Sequence, residues 1–267
     1  MRAFAALLLF GAGDACAHGP LLEQIEKLTA EIARDPANAQ LYIRRGELHR
    51  VHEEWDAALA DYRRASKLSP EDDRIDFLRG RALQEAGRPG QAKTALDAYL
   101  SQHPGNSEAL VARARALRAL GEYRAAVDDY ARAIERNPRP DPDLYLERAR
   151  AELATRESAH ALAGIDAAIA RLGPIPALQL FAIEVDMQQG RIDDALQRLD
   201  TVAARSPRKE TWLARRGELL AQAGRPDEAR SAYAAALSAI EALPPGARQT
   251  RAIADLEGRV RSALGAN

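Results

Sequence analysis

The sequence predicts an all-α protein built from about six stacked helical hairpins, and three observations support this. An alanine recurs at intervals of 34 or 35 residues, at Ala58, Ala92, Ala126, Ala161, Ala195 and Ala229. A small residue precedes most of these alanines at a constant distance, at Gly46, Gly80, Ala114, Ala149 and Gly217, and Ile183 breaks the column in the fifth repeat. A proline stands at each unit boundary, at Pro36, Pro70, Pro104, Pro138, Pro174 and Pro207. Periods of this length are typical of solenoids, in which each unit buries its apolar face against its neighbours.

Each unit is predicted to consist of helix, turn, helix and turn. The first helix should end where a residue with positive φ is favoured, at Gly87, Gly121, Gly190 and Gly224, with Glu53 and Arg156 as departures. A column of larger residues follows on the second helix, at Tyr62, Leu96, Tyr130, Ile165, Leu199 and Tyr233. Antiparallel helices approach closely where small residues cross, and large side chains fill the space beside them. These columns are therefore packing positions.

Two further helices are predicted outside the repeats. An apolar stripe with helical spacing precedes them, at Leu21, Ile25, Leu28 and Ile32. A second stripe follows them, at Ile253, Leu256, Val260 and Leu264. We interpret residues 18–36 as an N-terminal capping helix, 37–243 as the solenoid and 244–267 as a C-terminal capping helix with a tail.

Residues 1–17 are predicted to be a signal peptide. Arg2 supplies the charged start, residues 3–10 are apolar, and residues 15–17 resemble a cleavage site, which indicates a periplasmic or secreted protein. An alternative is a lipid anchor on Cys16, although Asp14 fits a lipobox poorly. Because Cys16 is the single cysteine, its removal would exclude disulfides and thiolate chemistry.

Charge and hydropathy argue against nucleic-acid binding and against a membrane-spanning helix. The formal net charge of −1 indicates no general affinity for nucleic acid. No window approaches the roughly 20 apolar residues that a membrane-spanning helix needs. We therefore predict a protein that neither spans a membrane nor binds nucleic acid.

The repeat resembles the tetratricopeptide family, whose pattern has a small residue at position 8, alanine at 20, a large residue at 24, alanine at 27 and proline at 32. The resemblance covers roughly residues 37–240 and implies a right-handed superhelical solenoid. The six repeats are assigned to 39–72, 73–106, 107–140, 142–175, 176–208 and 210–243. An insertion around residues 139–141 precedes the fourth repeat, and the fifth lacks its small residue.

The sequence contains no phosphate-binding glycine loop, zinc-protease motif or nucleophile elbow, so we predict neither an enzyme nor a cofactor. His49 and His52 share a helix face, but His103 lies in a different turn, and we predict no metal site. An arginine precedes the small residue in several repeats. We predict that Arg45 pairs with Asp61 and that Arg113 pairs with Asp129 within their hairpins, each pair contributing about 0.5–1 kcal/mol if it is partly exposed.

The resemblance implies that a protein or peptide partner binds the concave groove formed by the first helices. The ninth repeat position carries Glu47, Arg81, Arg115, Arg150, Glu184 and Glu218. We predict a groove lined by these arginines with further basic and apolar residues: Arg74, Phe77, Arg81, Val111, Arg115, Arg118, Leu146 and Arg150. Arginine binds carboxylates bidentately, so the groove would favour an acidic segment or a free C-terminus.

Two alternatives to this groove hypothesis stay open. The arginines can instead be solvated or pair with Glu85 and Glu108 of adjacent repeats. A different class of ligand is an anionic polymer of the cell envelope, whose binding would depend strongly on salt.

Overall fold

The computed structural model describes residues 15–265, and side chains from residue 21 onward. Within that range the protein consists of helices and turns, without strands. The first seven helices are α1 (Ala15–Arg34), α2 (Ala39–Val51), α3 (Trp55–Leu68), α4 (Arg74–Glu85), α5 (Pro89–Gln102), α6 (Ser107–Ala119) and α7 (Tyr123–Arg136). The others are α8 (Pro142–Ala154), α9 (Ser158–Leu172), α10 (Pro176–Gln188), α11 (Ile192–Arg205), α12 (Glu210–Gln222), α13 (Pro226–Glu241), α14 (Pro245–Arg248) and α15 (Arg251–Gly265). The prediction of an all-α chain of hairpins with a helix at each end is confirmed.

The described part of the chain divides into two compact units, with the boundary between Arg139 and Pro140. The first contains α1 and the hairpins α2–α3, α4–α5 and α6–α7. The second contains the hairpins α8–α9, α10–α11 and α12–α13, followed by α14 and α15. In both units each hairpin packs against the next, as α3 does against α4 and α9 does against α10.

Local signals explain where several helices begin. The side chains of Asn38, Asn106 and Asp141 accept hydrogen bonds from backbone N–H groups at the starts of α2, α6 and α8. These caps satisfy donors that have no partner within the helix. Helices α5, α8, α10 and α13 begin with proline, whose fixed φ suits the first helical position.

The turn within every hairpin uses one residue in the left-handed region. Gly87, Gly121, Gly190 and Gly224 have φ of 70°, 78°, 71° and 71°. Glu53 and Arg156, which depart from glycine in the sequence column, adopt the same conformation, with φ of 61° and 65°. The repeat geometry therefore imposes this conformation even on residues that carry a Cβ atom.

Replacing Glu53 or Arg156 with glycine should raise the free energy of unfolding by about 0.5–1 kcal/mol each. Relief of the left-handed backbone exceeds the added entropy of the unfolded chain. Urea denaturation of each variant measures the change. Gly87→Ala is the reverse control and should be destabilising, because the new Cβ would have no neighbour within 4 Å and only the backbone is affected. Unchanged stability in the two glycine variants would contradict the prediction.

In the hairpins of the first unit, a small residue lies where the two helices approach most closely. A Cβ atom built on Gly46 would lie 2.8 Å from Tyr62 Cε1, and one on Gly80 would lie 2.5 Å from Leu96 Cγ. Both large side chains are fully buried, as is Tyr130 in the third hairpin. The small-residue column is thus a steric requirement of the hairpin.

The second unit repeats this arrangement with one variation. Gly217 faces Tyr233, and an added Cβ atom would lie 2.6 Å from the ring. Ile183, which breaks the small-residue column, is buried in one cluster with Ala195, Leu196 and Leu199. The fifth hairpin therefore fills its crossing point with a larger side chain.

Both terminal helices bury apolar stripes. In α1, Leu28 and Ile32 are buried, and the helix packs on α2. In α15, Ile253, Leu256 and Val260 pack against α13 in a cluster with Ala236 and Ile240. Hydrogen bonds from Arg248 of α14 and from Arg261 of α15 itself lower the pKa of Glu257 to about 2, and the bond from Arg248 joins α15 to α14.

The predicted signal peptide falls mainly on residues 1–14, which lie outside the described residues. Helix α1 begins at Ala15 and continues through the predicted cleavage point after Ala17. Among the helices described, none is both long and apolar enough to cross a bilayer.

Candidate functional site

The first helices of the three hairpins in the first unit lie next to one another, α2 against α4 and α4 against α6. Two ion pairs connect α2 to α4. Arg81 donates to Glu47, and Arg50 Nη1 donates to the two oxygens of Glu85 at 2.9 and 2.8 Å. The hydroxyl of Tyr62 also donates to Glu47. Burial and this carboxylate raise the pKa of Tyr62 above its ordinary value.

The predicted groove residues of α4 are therefore partly engaged. The guanidinium of Arg81 lies 5.3 Å from the centre of the Phe77 ring, and Phe77 in turn contacts Tyr99 at 5.3 Å. The side chain of Arg74 is 66% exposed and donates to Asp72 at 2.8 and 2.6 Å. As the alternative hypothesis predicts, Arg81 pairs with an acidic residue of an adjacent repeat. The partner is Glu47, however, and not Glu85 or Glu108.

The predicted residues of α6 differ in exposure. Val111 is partly buried against the core of the unit, and Arg115 is half-buried and interacts within the chain. Arg118 is exposed, and no acidic side chain among the described residues pairs with it. Arg118 is thus accessible to a ligand.

The remaining two predicted residues belong to the second unit. Leu146 is 6% exposed and presents little surface to a ligand. Arg150 is exposed and lies 5.8 Å from the centre of the Phe181 ring of α10. The neighbouring Leu180 is an apolar side chain that is 40% exposed.

The first helices of the two units carry opposite charge. Helices α2, α4 and α6 contain nine arginines and four acidic residues. Helices α8, α10 and α12 contain four arginines and seven acidic residues. The first helices of the first unit therefore carry an excess of arginine that those of the second unit lack.

Both predicted ion pairs within hairpins are confirmed. Arg45 donates to Asp61 at 2.8 and 2.7 Å, and Arg113 donates to Asp129 at 2.7 and 3.0 Å. Each arginine also reaches the helix that precedes its hairpin, which is α1 for Arg45 and α5 for Arg113. Arg45 Nη1 lies 3.0 Å from Thr29 Oγ1, and Arg113 Nη1 lies 2.7 Å from Asp97 Oδ1. The arginine thus joins its own hairpin to the preceding helix.

Two buried carboxylates of the second unit were not singled out from the sequence. Asp186 is fully buried and accepts hydrogen bonds from Arg191 and Arg198, and Glu152 is 2% exposed and accepts from Arg148. Both occupy the column that holds Leu83, Leu117 and Leu220 in other repeats. An acid in a leucine column is the signal that would have identified them.

The histidines contact acidic side chains. His49 and His52 both contact Glu54, and this lowers the pKa of Glu54, while His103 Nε2 lies 2.6 Å from Asp73 Oδ2. Across the described part of the chain, no group of three or more His, Cys, Asp or Glu side chains is arranged to hold a metal ion.

This arrangement of stacked hairpins with adjoining first helices defines a helical repeat protein. Sequence models of the tetratricopeptide repeat match residues 25–73 and 183–247, residues 52–117, and residues 107–140. The chain belongs to the tetratricopeptide-repeat family.

One sequence relative and two solved structures illustrate the similarity. Human tetratricopeptide repeat protein 28 is 33% identical over 98 residues, which is 37% of this chain and 4% of that protein. The C-terminal part of a tetratricopeptide-repeat protein from Cytophaga hutchinsonii is 18% identical, with a TM-score of 0.66 over 89% of this chain and 94% of that one. A tetratricopeptide-repeat protein from Parabacteroides merdae is 20% identical, with a TM-score of 0.58 over 93% and 95% of the two chains. Both structures share the fold.

Proposed function

We propose that this protein is a non-catalytic scaffold that holds an extended segment of a partner protein on the first helices of its repeats. The tetratricopeptide-repeat fold is a fold of protein interaction, which supports a protein ligand. We also propose export to the periplasm or out of the cell, and this rests on the sequence of residues 1–17.

The partner segment proposed here is acidic and binds the surface formed by α2, α4 and α6. The observation that carries this proposal is the excess of arginine on these three helices beside the partly buried Phe77 and Val111. Guanidinium groups bind carboxylates with two parallel hydrogen bonds, and apolar side chains add contact area. Arg118 is open to a new partner, whereas a carboxylate that binds Arg81 competes with Glu47.

A rival ligand is an anionic polysaccharide that recognises the same arginines. Binding to a polymer depends on charge density, so it weakens with ionic strength and is indifferent to peptide sequence. A peptide that also uses Phe77 and Val111 depends on the placement of its apolar residues. This difference separates the two ligands experimentally.

The test is fluorescence anisotropy with labelled ten-residue peptides that alternate acidic and apolar residues. We expect the full-length protein to bind them at physiological salt. The double variant Arg74→Glu/Arg118→Glu should bind at least about tenfold more weakly, since two exposed donors become repulsive charges. Both arginines are exposed, so their replacement leaves the core intact.

The matched control is Arg251→Glu/Arg259→Glu, which makes the same charge change at two exposed positions of α15. This control should bind as the native protein does. Equal affinity for peptides with Asn and Gln in place of the acids would contradict the proposal. If the protein binds a polyanionic polysaccharide more tightly than the peptides, and if peptide affinity does not depend on peptide sequence, the polysaccharide is favoured as the ligand.

A further inference from the structure

A pocket recurs between successive repeats. It is bounded by the second helix of one repeat and both helices of the next. One pocket, of about 430 Å³, lies among α3, α4 and α5, and another, of about 260 Å³, lies among α5, α6 and α7. A third, of about 380 Å³, lies among α9, α10 and α11 of the second unit.

The two pockets of the first unit are equivalent positions of consecutive repeats. Arg63, Arg79, Arg88 and Ala95 of the first pocket lie 34 residues before Asp97, Arg113, Glu122 and Asp129 of the second. In the second pocket, carboxylates of the chain itself pair with the central arginine. This residue, Arg113, donates to Asp129 and to Asp97, and Asp129 is only 1% exposed.

The first pocket has lost both carboxylates that hold this arginine. Ala95 stands in place of Asp129, and Arg63 stands in place of Asp97. The central Arg79 contacts Asp76, one turn back on its own helix, at 2.9 Å. Arg63 Nε donates to the carbonyl oxygen of Leu59 at 3.3 Å, and among the described residues no carboxylate pairs with it.

The charge of the first pocket follows from these exchanges. Arg63, Arg79 and Arg88 surround it with one acid, Asp56, which is 84% exposed and pairs with Arg88 at 2.7 Å. The equivalent pocket has three basic side chains and four acidic ones, and the pocket of the second unit has two arginines and three aspartates. Of these three pockets, the first alone is basic.

We propose that the pocket among α3, α4 and α5 binds a carboxylate group of a partner molecule. The bound carboxylate takes the place that Asp129 occupies in the next repeat and accepts hydrogen bonds from Arg79 and Arg63. Leu59, Leu83 and Ala95 are buried, and the small part of their surface that lines the pocket contacts the apolar stem that carries the carboxylate. This site is separate from the surface of α2, α4 and α6 and does not depend on the function proposed for it.

Two sources supply such a carboxylate on an apolar stem, an acidic side chain and the C-terminus of a chain. N-acetylglutamate N-methylamide represents the side chain, and N-acetylleucine represents the C-terminus. Inorganic phosphate is the third probe and tests whether the pocket requires the apolar stem. Guanidinium groups pair bidentately with carboxylate and with phosphate alike, but phosphate has no stem to lie against Leu59 and Leu83, so both organic probes should bind more tightly.

Each probe is titrated into the ¹⁵N-labelled full-length protein while the Nε–Hε resonances of its arginines are recorded. We expect saturable shifts at Arg63 and Arg79 with both carboxylates. The variant Ala95→Asp supplies the missing carboxylate within the chain and should weaken binding at least about tenfold. The tighter of the two organic probes identifies the source.

A second variant tests the pocket without adding a charge to its floor. Arg63→Ala should also weaken binding at least about tenfold, because Arg63 makes no ion pair that folding requires. Arg64→Ala, which removes the adjacent exposed arginine of the same helix, is the matched control and should bind as the native protein does. Equal shifts at all exposed arginines, tighter binding of phosphate, or unchanged binding by Ala95→Asp would overturn the proposal.

Discussion

Leu96→Ala is expected to lower the free energy of unfolding of the first unit by about 2–5 kcal/mol. Leu96 is fully buried, and truncation of a buried leucine removes apolar contacts and leaves a cavity. Urea denaturation measures the loss, and amide hydrogen exchange in α4 and α5 locates it. Leu120→Ala is the control, because Leu120 is 41% exposed, and it should change stability by no more than about 0.5 kcal/mol.

The size of the side chain at position 96 should decide whether Gly80→Ala destabilises or stabilises the protein. In the native background Gly80→Ala is expected to cost about 1–2 kcal/mol, since the new Cβ would lie 2.5 Å from Leu96 Cγ. In the Leu96→Ala background the two obstructing side-chain atoms are gone, and the backbone nitrogen of residue 96, 3.3 Å from the new Cβ, needs to shift only slightly. Alanine should then stabilise the helix by up to about 1 kcal/mol. A Gly80→Ala effect of the same sign in both backgrounds would refute this steric account of the small-residue column.

Asp129→Ala is the second large expected effect, a loss of about 3 kcal/mol. Asp129 is 1% exposed and accepts hydrogen bonds from Arg113 and Arg132, so its removal leaves charged donors without their buried partner. The remaining pair between Arg113 and Asp97 keeps the loss at the lower end of the usual range for a broken buried pair. Thermal and urea denaturation measure it.

Asp128→Ala removes the same charge one residue earlier and serves as the control. Asp128 is exposed, so its replacement should change stability by less than about 0.5 kcal/mol. Similar losses for the two substitutions would show that the effect comes from net charge and not from the buried pair.

The hairpins were predictable from sequence because the constraint behind them is local and repeated. A small residue faces a large one at each crossing, and this pairing fixes both helices of a unit. The pair of Arg45 with Asp61 was predictable for the same reason, since both residues belong to one hairpin. The conformation of Glu53 was harder to predict, because the repeat overrides the preference of its side chain.

The pair of Arg81 with Glu47 does not follow from the ninth-position column alone, because that column predicts side chains that face a ligand. Residues at the same position of adjacent repeats are also neighbours in the stack, so opposite charges in one column bind each other. The pair of Arg50 with Glu85, one residue out of column, follows the same geometry. Residues at the same position of successive repeats can therefore contact one another as well as a ligand.

The recurring pocket bears on how such a protein diversifies. Duplication of a repeat copies the hairpin together with the pocket beside it. Later substitutions at a few pocket-lining positions can then change which ligand each copy binds. Arg113 with Asp129 and Arg79 with Ala95 are two forms of one repeated arrangement: in the first the chain supplies the carboxylate, and in the second it does not. Selection can thus assign separate recognition tasks to successive repeats while the helices that carry them stay unaltered.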